Sequence, residues 1–390
     1  INWPLEEIAS DQFQIAGGWG GGTFVGSVGV TLNNLSIKNF FKKGAWRPYP
    51  MGQNQRRSIS AQTNGTYYKA FAISFTDPWM GGRKPNSFTI SAHYSDENNA
   101  YYAWQKGTRY FRTAGVAAGL GKRLDWPDPY FTFYAEASYE RYMLKDWNTF
   151  VLKNGAANLL SIRLVLGRNS VDQPIYPRRG SDFSVSVQLT PPYSLWDGKD
   201  YKSTALSEQE RYNWIEFHKW MLKGQWFTPL TRNGNLVLMA RAEMGYLGHY
   251  NKNKVSPFER FEVGGDGMTG YNMYGIDIIS MRGYDDGALD PVGSNYSCAY
   301  NKYTMELRYP LLLKGQTNIY VLGFLEGGNG FTSWKEFSPF KIKRSAGIGV
   351  RLFLPVVGMV GVDWGWGFDP AAGQTKRSGS HIHFTMGMQF

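Results

Sequence analysis

The sequence predicts an all-β protein, a transmembrane antiparallel β-barrel of about 16 strands. Apolar and polar residues alternate in segments along nearly the whole 390-residue chain, as they do in strands with two unlike faces. Charged residues stand in the middle of the polar faces, which suits a wet lumen better than a sandwich core. Aromatic residues make up 16% of the chain and lie near the ends of the apolar faces, as membrane interfaces favour.

The strand candidates follow one another from end to end, and each is close to the ~10 residues that a tilted strand needs to cross a bilayer. We expect them at about 11–19, 23–33, 52–63, 66–76, 85–96, 105–124, 129–141, 156–169, 180–191, 209–223, 234–247, 298–310, 316–328, 340–354, 357–368 and 380–390. Their polar faces carry the charged residues Glu136, Arg163, Arg241, Glu243, Glu306, Glu326, Arg351 and Asp363.

The domain organisation follows from these segments. We expect residues 11–390 to form one barrel domain, in which residues 250–297 are one long connection. Residues 1–10 are expected to link the barrel to a preceding region, because the chain starts at Ile1 and shows no signal segment.

Composition excludes several other classes of protein. The chain has no run of 18 apolar residues, so a transmembrane helix is excluded. The single cysteine, Cys298, rules out an internal disulfide and argues against a metal site built on cysteine. The net charge of +11 fits contact with phosphate-rich partners such as lipopolysaccharide, although solvated loop charge is the simpler interpretation.

The two ends of the chain predict a seam in the barrel wall. The first strand candidate, "DQFQIAGGWGGG" at 11–22, places Phe13 and Ile15 before Gly17 and Gly18, and glycine weakens a strand. A weak closing strand would let the seam open, and an unpaired edge can template another strand. A β-bulge or turn at 17–22 is the alternative.

The last ten residues, "HIHFTMGMQF", alternate strictly and end on an aromatic residue. This pattern resembles the C-terminal sorting signal of bacterial outer-membrane barrels, although an ordinary terminal strand would also alternate. The residues that would form both the signal and the other side of the seam are Phe384, Met386, Met388 and Phe390.

Residues 249–297 show no strand periodicity, and loops of that length are usually functional or disordered. The segment contains "MRGY" at 281–284 and "FERFEVGGDGMTG" at 258–270, and it is followed by "MELRYP" at 305–310, "GFLEGG" at 323–328 and "SAGIGVRLFLPVVGMVGVDWGWGF" at 345–368. The order and spacing of these motifs resemble those of the BamA-type outer-membrane assembly and translocation proteins. The resemblance covers nearly the whole chain and is sharpest from Pro257 to Phe390.

The resemblance implies a 16-stranded barrel with a long loop, residues 250–297, folded into its lumen. The loop motif, Arg282, Gly283 and Tyr284, would contact acidic residues of the inner wall, with Tyr284 in place of the family's usual Phe. The matching wall positions are Glu306 and Glu326. Strand parity independently turns both carboxylates inward if the apolar face meets lipid. Arg282 would act as a latch through forked hydrogen bonds, Gly283 as a bend and Tyr284 as a wedge.

The resemblance also implies a function, which is assembly and insertion of β-barrel proteins into the bacterial outer membrane through an openable seam. Expected partners are nascent outer-membrane β-barrel proteins, accessory periplasmic lipoproteins, outer-membrane lipid and lipopolysaccharide, and we expect no nucleic acid. A translocation or secretion pore of the same family and a passive channel remain alternatives. The family carries periplasmic POTRA repeats before the barrel, and about ten residues precede the first strand candidate here.

An enzyme is the third class considered, and the sequence argues against it. The five histidines fall in neither a G-x-S-x-G nor an H-E-x-x-H pattern. His381 and His383 share one face of a strand and could hold a metal ion, but a third ligand is missing, so inward polar residues are the simpler interpretation. We therefore expect no catalytic residues, metal or cofactor.

Overall fold

The computed structural model describes residues 12–20, 23–46, 49–63, 67–82, 85–99, 107–267, 276–293, 296–314, 317–354 and 358–386. Sixteen strands, called the wall strands, form one sheet in which each strand pairs antiparallel with the next. They are β1 (Gln12–Gly20), β2 (Thr23–Leu35), β3 (Gln55–Thr63), β4 (Tyr68–Asp77), β5 (Asn86–Asn98), β6 (Tyr110–Arg123), β7 (Phe131–Lys145), β8 (Gly155–Asn169), β9 (Gly180–Leu189), β10 (His218–Pro229), β11 (Val237–Gly248), β14 (Ala299–Lys314), β15 (Thr317–Phe331), β16 (Lys343–Leu354), β17 (Gly358–Pro370) and β18 (Arg377–Met386).

Two further strands, β12 (Phe261–Val263) and β13 (Asp277–Ile279), pair with each other in parallel inside the loop between β11 and β14. Wall strands from both halves of the sheet contact this loop. Tyr142 of β7 hydrogen-bonds Glu259 of the loop, while His383 of β18 accepts a hydrogen bond from Gly283. Since β7 and β18 are far apart in the strand order, the sheet curls around the loop. The fold is the predicted β-barrel with a loop in its lumen.

The faces of the wall strands follow the predicted alternation, as β17 illustrates. Val362, Trp364 and Trp366 point outward and are each exposed, although all three are large and apolar. Asp363 and Gly365, which alternate with them, are buried on the inner side. A band of exposed large apolar side chains is a surface for lipid rather than water.

One strand candidate, 209–223, is wrong in its first half. Residues Glu208–Tyr212 form the helix α1, and β10 begins only at His218. A capping box starts the helix, because the Ser207 hydroxyl accepts from the backbone N–H of Glu210 and the Glu210 carboxylate accepts from that of Ser207. Within the described residues, no helix has the length and apolarity that crossing a membrane requires.

Because neighbouring wall strands run in opposite directions, successive connections lie at alternate ends of the barrel. The end that carries the connections 190–217 and 249–298 is called the long-loop end. The opposite end carries 36–54, 78–85 and 124–130, together with the start of β1 and the end of β18, and is called the short-turn end. In outer-membrane barrels the short turns face the periplasm.

Candidate functional site

The loop between β11 and β14 is held by its own backbone pairing before it meets the wall. Phe261 and Ser297 exchange two backbone hydrogen bonds of 2.9 and 2.7 Å, which close the base of the loop. The N–H of Met281 donates to the carbonyl of Gly265 at 2.8 Å, just before the Arg-Gly-Tyr motif. β12 and β13 have only three residues each, too few for their periodicity to be visible in the sequence.

Arg282 is completely buried and contacts carboxylates from three wall strands. Its Nη2 lies 2.7 Å from Glu306 Oε1 and 2.6 Å from Glu326 Oε1, and its Nε donates to the same Glu326 oxygen at 3.1 Å. The backbone N–H of Arg282 donates to Glu326 Oε2 at 2.9 Å. Asp363 Oδ1 is 3.7 Å from Nη1, and the Phe324 ring lies beneath the guanidinium, 3.7 Å from centroid to Cζ. The structure thus brings Arg282, Glu306 and Glu326 together.

The wall adds its own cations to this cluster. Arg308 Nη2 is 2.7 Å from Glu306 Oε2, and Arg351 forms a forked pair with Asp363 through bonds of 2.9 and 2.8 Å. Burial acts to lower the pKa of Arg282, but the surrounding carboxylates, Glu326 first, outweigh it and raise that pKa above its usual value. Arg282 therefore stays charged. It enters a site in which Arg308 and Arg351 of the wall already hold two of the carboxylates.

Gly283 brings the loop backbone directly against the backbone of the wall. Its φ of +86° is a left-handed conformation that favours glycine. A Cβ added there would lie 2.8 Å from Ser345 Cβ and 3.0 Å from the Gly367 nitrogen. On the wall side, a Cβ on Gly365 would lie 2.7 Å from the Gly283 nitrogen. Glycines face each other across the contact, and the backbones pack with no side chain between them.

Tyr284 is buried in the same cluster of apolar residues as Met281 and Leu289. Its hydroxyl donates to the carbonyl of Arg344 on β16 at 2.9 Å. Burial raises the pKa of Tyr284 to about 12, so the hydroxyl remains a neutral donor. The hydroxyl that distinguishes Tyr284 from the family's usual Phe therefore has a partner on the wall.

The last wall strand also contacts the loop, through histidines whose contacts with the loop the sequence did not predict. The N–H of Gly283 donates to His383 Nε2 at 2.8 Å. His381 stacks on His383 with ring centroids 6.0 Å apart, and its Nδ1 lies 3.2 Å from Asp285 Oδ1. Among the described residues, no group of three or more His, Cys, Asp or Glu side chains could hold a metal ion. The only signal for these contacts was the inward parity of the two histidines on β18.

A second anchor holds the other side of the loop to β7 and β10. Lys219 Nζ, which is buried, lies 2.7 Å from Asp277 Oδ2 and 3.6 Å from Glu259 Oε2. The Tyr142 hydroxyl donates to Glu259 at 2.9 Å, and its ring stacks on Phe258 with centroids 4.4 Å apart. The loop is therefore fixed at two opposite parts of the wall.

The remaining lumen is polar. A cavity of about 650 Å³ is lined by residues of β3 to β10, including Glu136 and Arg163. A cavity of about 570 Å³ on the other side of β13 is lined by Arg241, Glu243 and Lys302, among others. These charged side chains point inward, as strand parity predicts.

The residues predicted for the seam lie at the two edges of the described sheet. Phe13, Ile15, Gly17 and Gly18 are in β1, whose backbone pairs with β2 along its whole length. The other side of the predicted seam belongs to β18, where Phe384 points outward and Met386 is the last residue of the strand. Met388, Phe390 and the predicted linker 1–10 lie outside the described residues.

Asp290 predicts how the stability of the loop depends on pH. Burial raises the pKa of Asp290 to about 8, against the lowering effect of hydrogen bonds from Ser297 and Val263. A carboxyl whose pKa is higher in the folded loop than the ~3.9 of an unfolded chain stabilises the loop below that lower value, and this stability is lost as pH rises through the folded pKa. Proteolysis within 249–293 should therefore accelerate as pH rises from about 4 to about 8, the interval between the unfolded and folded pKa values of Asp290.

Asp290→Asn keeps an acceptor and removes the charge, so its cleavage rate relative to the parent protein should fall as pH rises. Asp125→Asn is the matched control, because Asp125 is exposed in the connection 124–130, away from the loop. The control should keep the pH dependence of the parent. A parent-like profile for Asp290→Asn would show that this carboxyl does not govern the loop.

Comparison with known proteins agrees with this architecture. A profile of the Omp85 superfamily domain matches residues 51–390. The outer membrane protein assembly factor BamA of Neisseria meningitidis serogroup B is 23% identical over 330 residues, which are 79% of this chain and 34% of that protein. The chain thus spans about a third of the length of that relative.

Two solved structures are similar to the chain in fold. BamA from Haemophilus ducreyi lacking POTRA domains 1-3 has a TM-score of 0.64 and 17% identity, covering 96% of this chain and 69% of that one. CdiB from Escherichia coli has a TM-score of 0.58 and 12% identity, covering 98% of this chain and 63% of that one.

Proposed function

The chain belongs to the Omp85 superfamily and is an integral outer-membrane β-barrel, and from this premise we propose that it assembles and inserts other β-barrel proteins into the bacterial outer membrane. The contact between the loop tip and the last wall strands carries the proposal. Gly283 packs against β17 and hydrogen-bonds His383 of β18, next to the predicted seam. The position of the loop is thereby linked to the strand that has to move.

Insertion through the seam depends on backbone hydrogen bonds and needs no covalent step. When β1 and β18 separate, each exposes a row of backbone N–H and C=O groups that can pair with an incoming strand. A glycine-rich β1 lowers the cost of separation, because glycine packs no side chain and gains more entropy on release. The bilayer provides no hydrogen bonds, so a client strand gains most by pairing with the open edge.

The loop supports insertion over passive conduction through the lumen. It contacts β7 and β10 on one side through Tyr142 and Lys219, and β14, β15 and β18 on the other through Arg282 and Gly283. We accordingly propose nascent outer-membrane β-barrel proteins as the clients. Accessory periplasmic lipoproteins are proposed as partners in an assembly complex, and outer-membrane lipid and lipopolysaccharide as the surrounding ligands.

Locking the seam tests this mechanism. Gly18→Cys and Met386→Cys, introduced together with Cys298→Ser, should form a disulfide between β1 and β18 on oxidation. We expect oxidation to reduce insertion of a client barrel into vesicles to the level without protein, because the edge can no longer be exposed. Reductant should restore insertion.

The control disulfide joins two wall strands away from the seam. Met305 and Leu325 are direct neighbours on β14 and β15, both facing outward, so a Met305→Cys and Leu325→Cys pair should cross-link without blocking activity. Full insertion with a quantitatively locked β1–β18 pair would overturn the seam mechanism.

A further inference from the structure

The connection between β2 and β3, residues 36–54, presents an exposed aromatic and basic surface at the short-turn end. Phe41 is 91% exposed and Trp46 is 53% exposed. The Phe40 ring lies between them, with centroids 5.5 Å from Phe41 and 5.0 Å from Trp46. We call this surface the aromatic–lysine turn, and it comprises Lys38, Phe40, Phe41, Lys42, Lys43 and Trp46.

The charge of this turn has one sign. Residues 36–54 contain Lys38, Lys42, Lys43 and Arg47 and no Asp or Glu. The three lysines are exposed. A basic surface without carboxylates in its own segment attracts an anionic partner from outside.

The turn is shaped before any partner arrives. Ser36 caps a short 3-10 turn, since its hydroxyl accepts from the N–H of Asn39 at 3.3 Å. The indole N–H of Trp46 donates to the carbonyl of Phe40 at 3.1 Å, and the side-chain amide of Asn39 donates to the carbonyl of Met51 at 3.1 Å. Little conformational entropy remains to be lost on binding, which favours a preformed contact surface.

The turn joins two wall strands that carry exposed apolar residues. These include Val28 and Val30 on β2 and Ile59 on β3. Aromatic residues at the end of a lipid-facing strand pair lie at headgroup depth, where Trp and Lys are both favoured. Protein–protein interfaces, by contrast, are depleted in lysine.

We propose that the aromatic–lysine turn binds anionic phospholipid headgroups of the periplasmic leaflet. Phe41 and Trp46 enter the interface, and the three lysines contact lipid phosphates. The site would hold the β2–β3 pair, which lies next to β1, at the surface of the bilayer. This inference rests on the barrel and its orientation in the membrane, and it holds whether or not the chain inserts other barrels.

Lipid retention tests the role of charge. The protein and the variant Lys38→Gln, Lys42→Gln, Lys43→Gln are placed in nanodiscs of phosphatidylethanolamine and phosphatidylglycerol, extracted with detergent, and the retained phosphatidylglycerol is counted by mass spectrometry. Since each lysine near an anionic surface contributes roughly fivefold in affinity, the triple variant should lose most of the retained lipid. The control removes the same charge at the long-loop end, with Lys199→Gln, Lys202→Gln and Lys252→Gln, and should retain lipid normally. Equal loss in both variants would overturn the proposal.

Site-specific quenching tests the location. Trp126, in the connection 124–130, is 82% exposed at the same end but is flanked by Asp125 and Asp128. In a Cys298→Ser background, an environment-sensitive fluorophore is attached at Phe41→Cys or, as the control, at Trp126→Cys, and is quenched by spin-labelled lipid. Adding phosphatidylglycerol should increase quenching at residue 41 only, and high salt should reverse the increase.

Two results would contradict this expectation. One is a response to phosphatidylglycerol that is absent at residue 41 or equal at residue 126. The other is a fluorophore at residue 41 that becomes inaccessible to both lipid and water when a second protein is added. That result would make the turn a protein-binding surface.

Discussion

Replacing Arg282 with alanine should detach the loop from the wall and cost about 3–5 kcal/mol, the range found when one partner of a buried ion pair is removed. The carboxylates of Glu306 and Glu326 would lose partners at 2.7 and 2.6 Å while remaining buried. Arg308 and Arg351 would still neutralise part of the wall, so the barrel itself should persist. We expect faster proteolysis within 249–293 and a lower midpoint of urea unfolding.

Arg344→Ala is the matched control for this experiment. Arg344 also makes a forked pair, with two bonds of 3.0 Å to Asp369, but its side chain is 65% exposed. Exposed pairs contribute about 0–1 kcal/mol, so the control should leave the loop nearly as resistant as in the parent. If proteolysis of the loop is unchanged in Arg282→Ala, or rises equally in both variants, the latch assignment is wrong.

The replacement Gly283→Ala should undock the loop by a different route, with Arg282 still present. The added methyl would lie 3.0 Å from the Gly367 nitrogen and 3.1 Å from the Trp366 carbonyl carbon, both part of the β17 backbone and unable to yield. Left-handed strain and overpacking together should cost about 2–5 kcal/mol. Proteolysis within 249–293 and, under the proposed function, client insertion are the measurements.

Two control glycines separate strain from contact. Gly293 has a similar φ of +79° with no atom within 4 Å of an added Cβ, so Gly293→Ala reports strain alone. Gly365→Ala approaches the same contact from the wall, where a Cβ would lie 2.7 Å from the Gly283 nitrogen, whereas Gly323→Ala meets only a carbonyl oxygen at 3.9 Å. If the loop docks at this contact, Gly283→Ala and Gly365→Ala should both greatly accelerate proteolysis within 249–293. If Gly283→Ala and Gly293→Ala destabilise the loop equally, backbone strain alone explains the effect and the contact with β17 contributes nothing.

The wall was predictable because strand parity and length are local properties. Alternation over about ten residues placed fifteen of the sixteen wall strands within a few residues of their structural bounds. The exception is the candidate 209–223, whose first half is a helix. Two side-chain hydrogen bonds of a capping box favour the helix there over a strand. The inward orientation of Glu306, Glu326 and Asp363 followed from the same parity.

The loop was only partly predictable. Glu306 and Glu326 were assigned as partners of Arg282 through family resemblance, while Asp363, His383 and the wall glycines were not assigned to the loop. Asp363 and His383 are about 80 and 100 residues from Arg282 in sequence, and no period relates positions that only the curvature of the sheet brings together.

The sequence by itself determined the strands, their inner and outer faces, the charge of the lumen and the existence of a long aperiodic loop, because each depends on neighbours within a few residues. Tertiary structure alone decided that Asp363 and His383 join the site around Arg282, and that Gly283 meets Gly365 and Gly367. Those contacts depend on closing a loop of about 50 residues against seven wall strands, and the free energy of that closure comes from buried ion pairs and backbone packing, which no local pattern encodes.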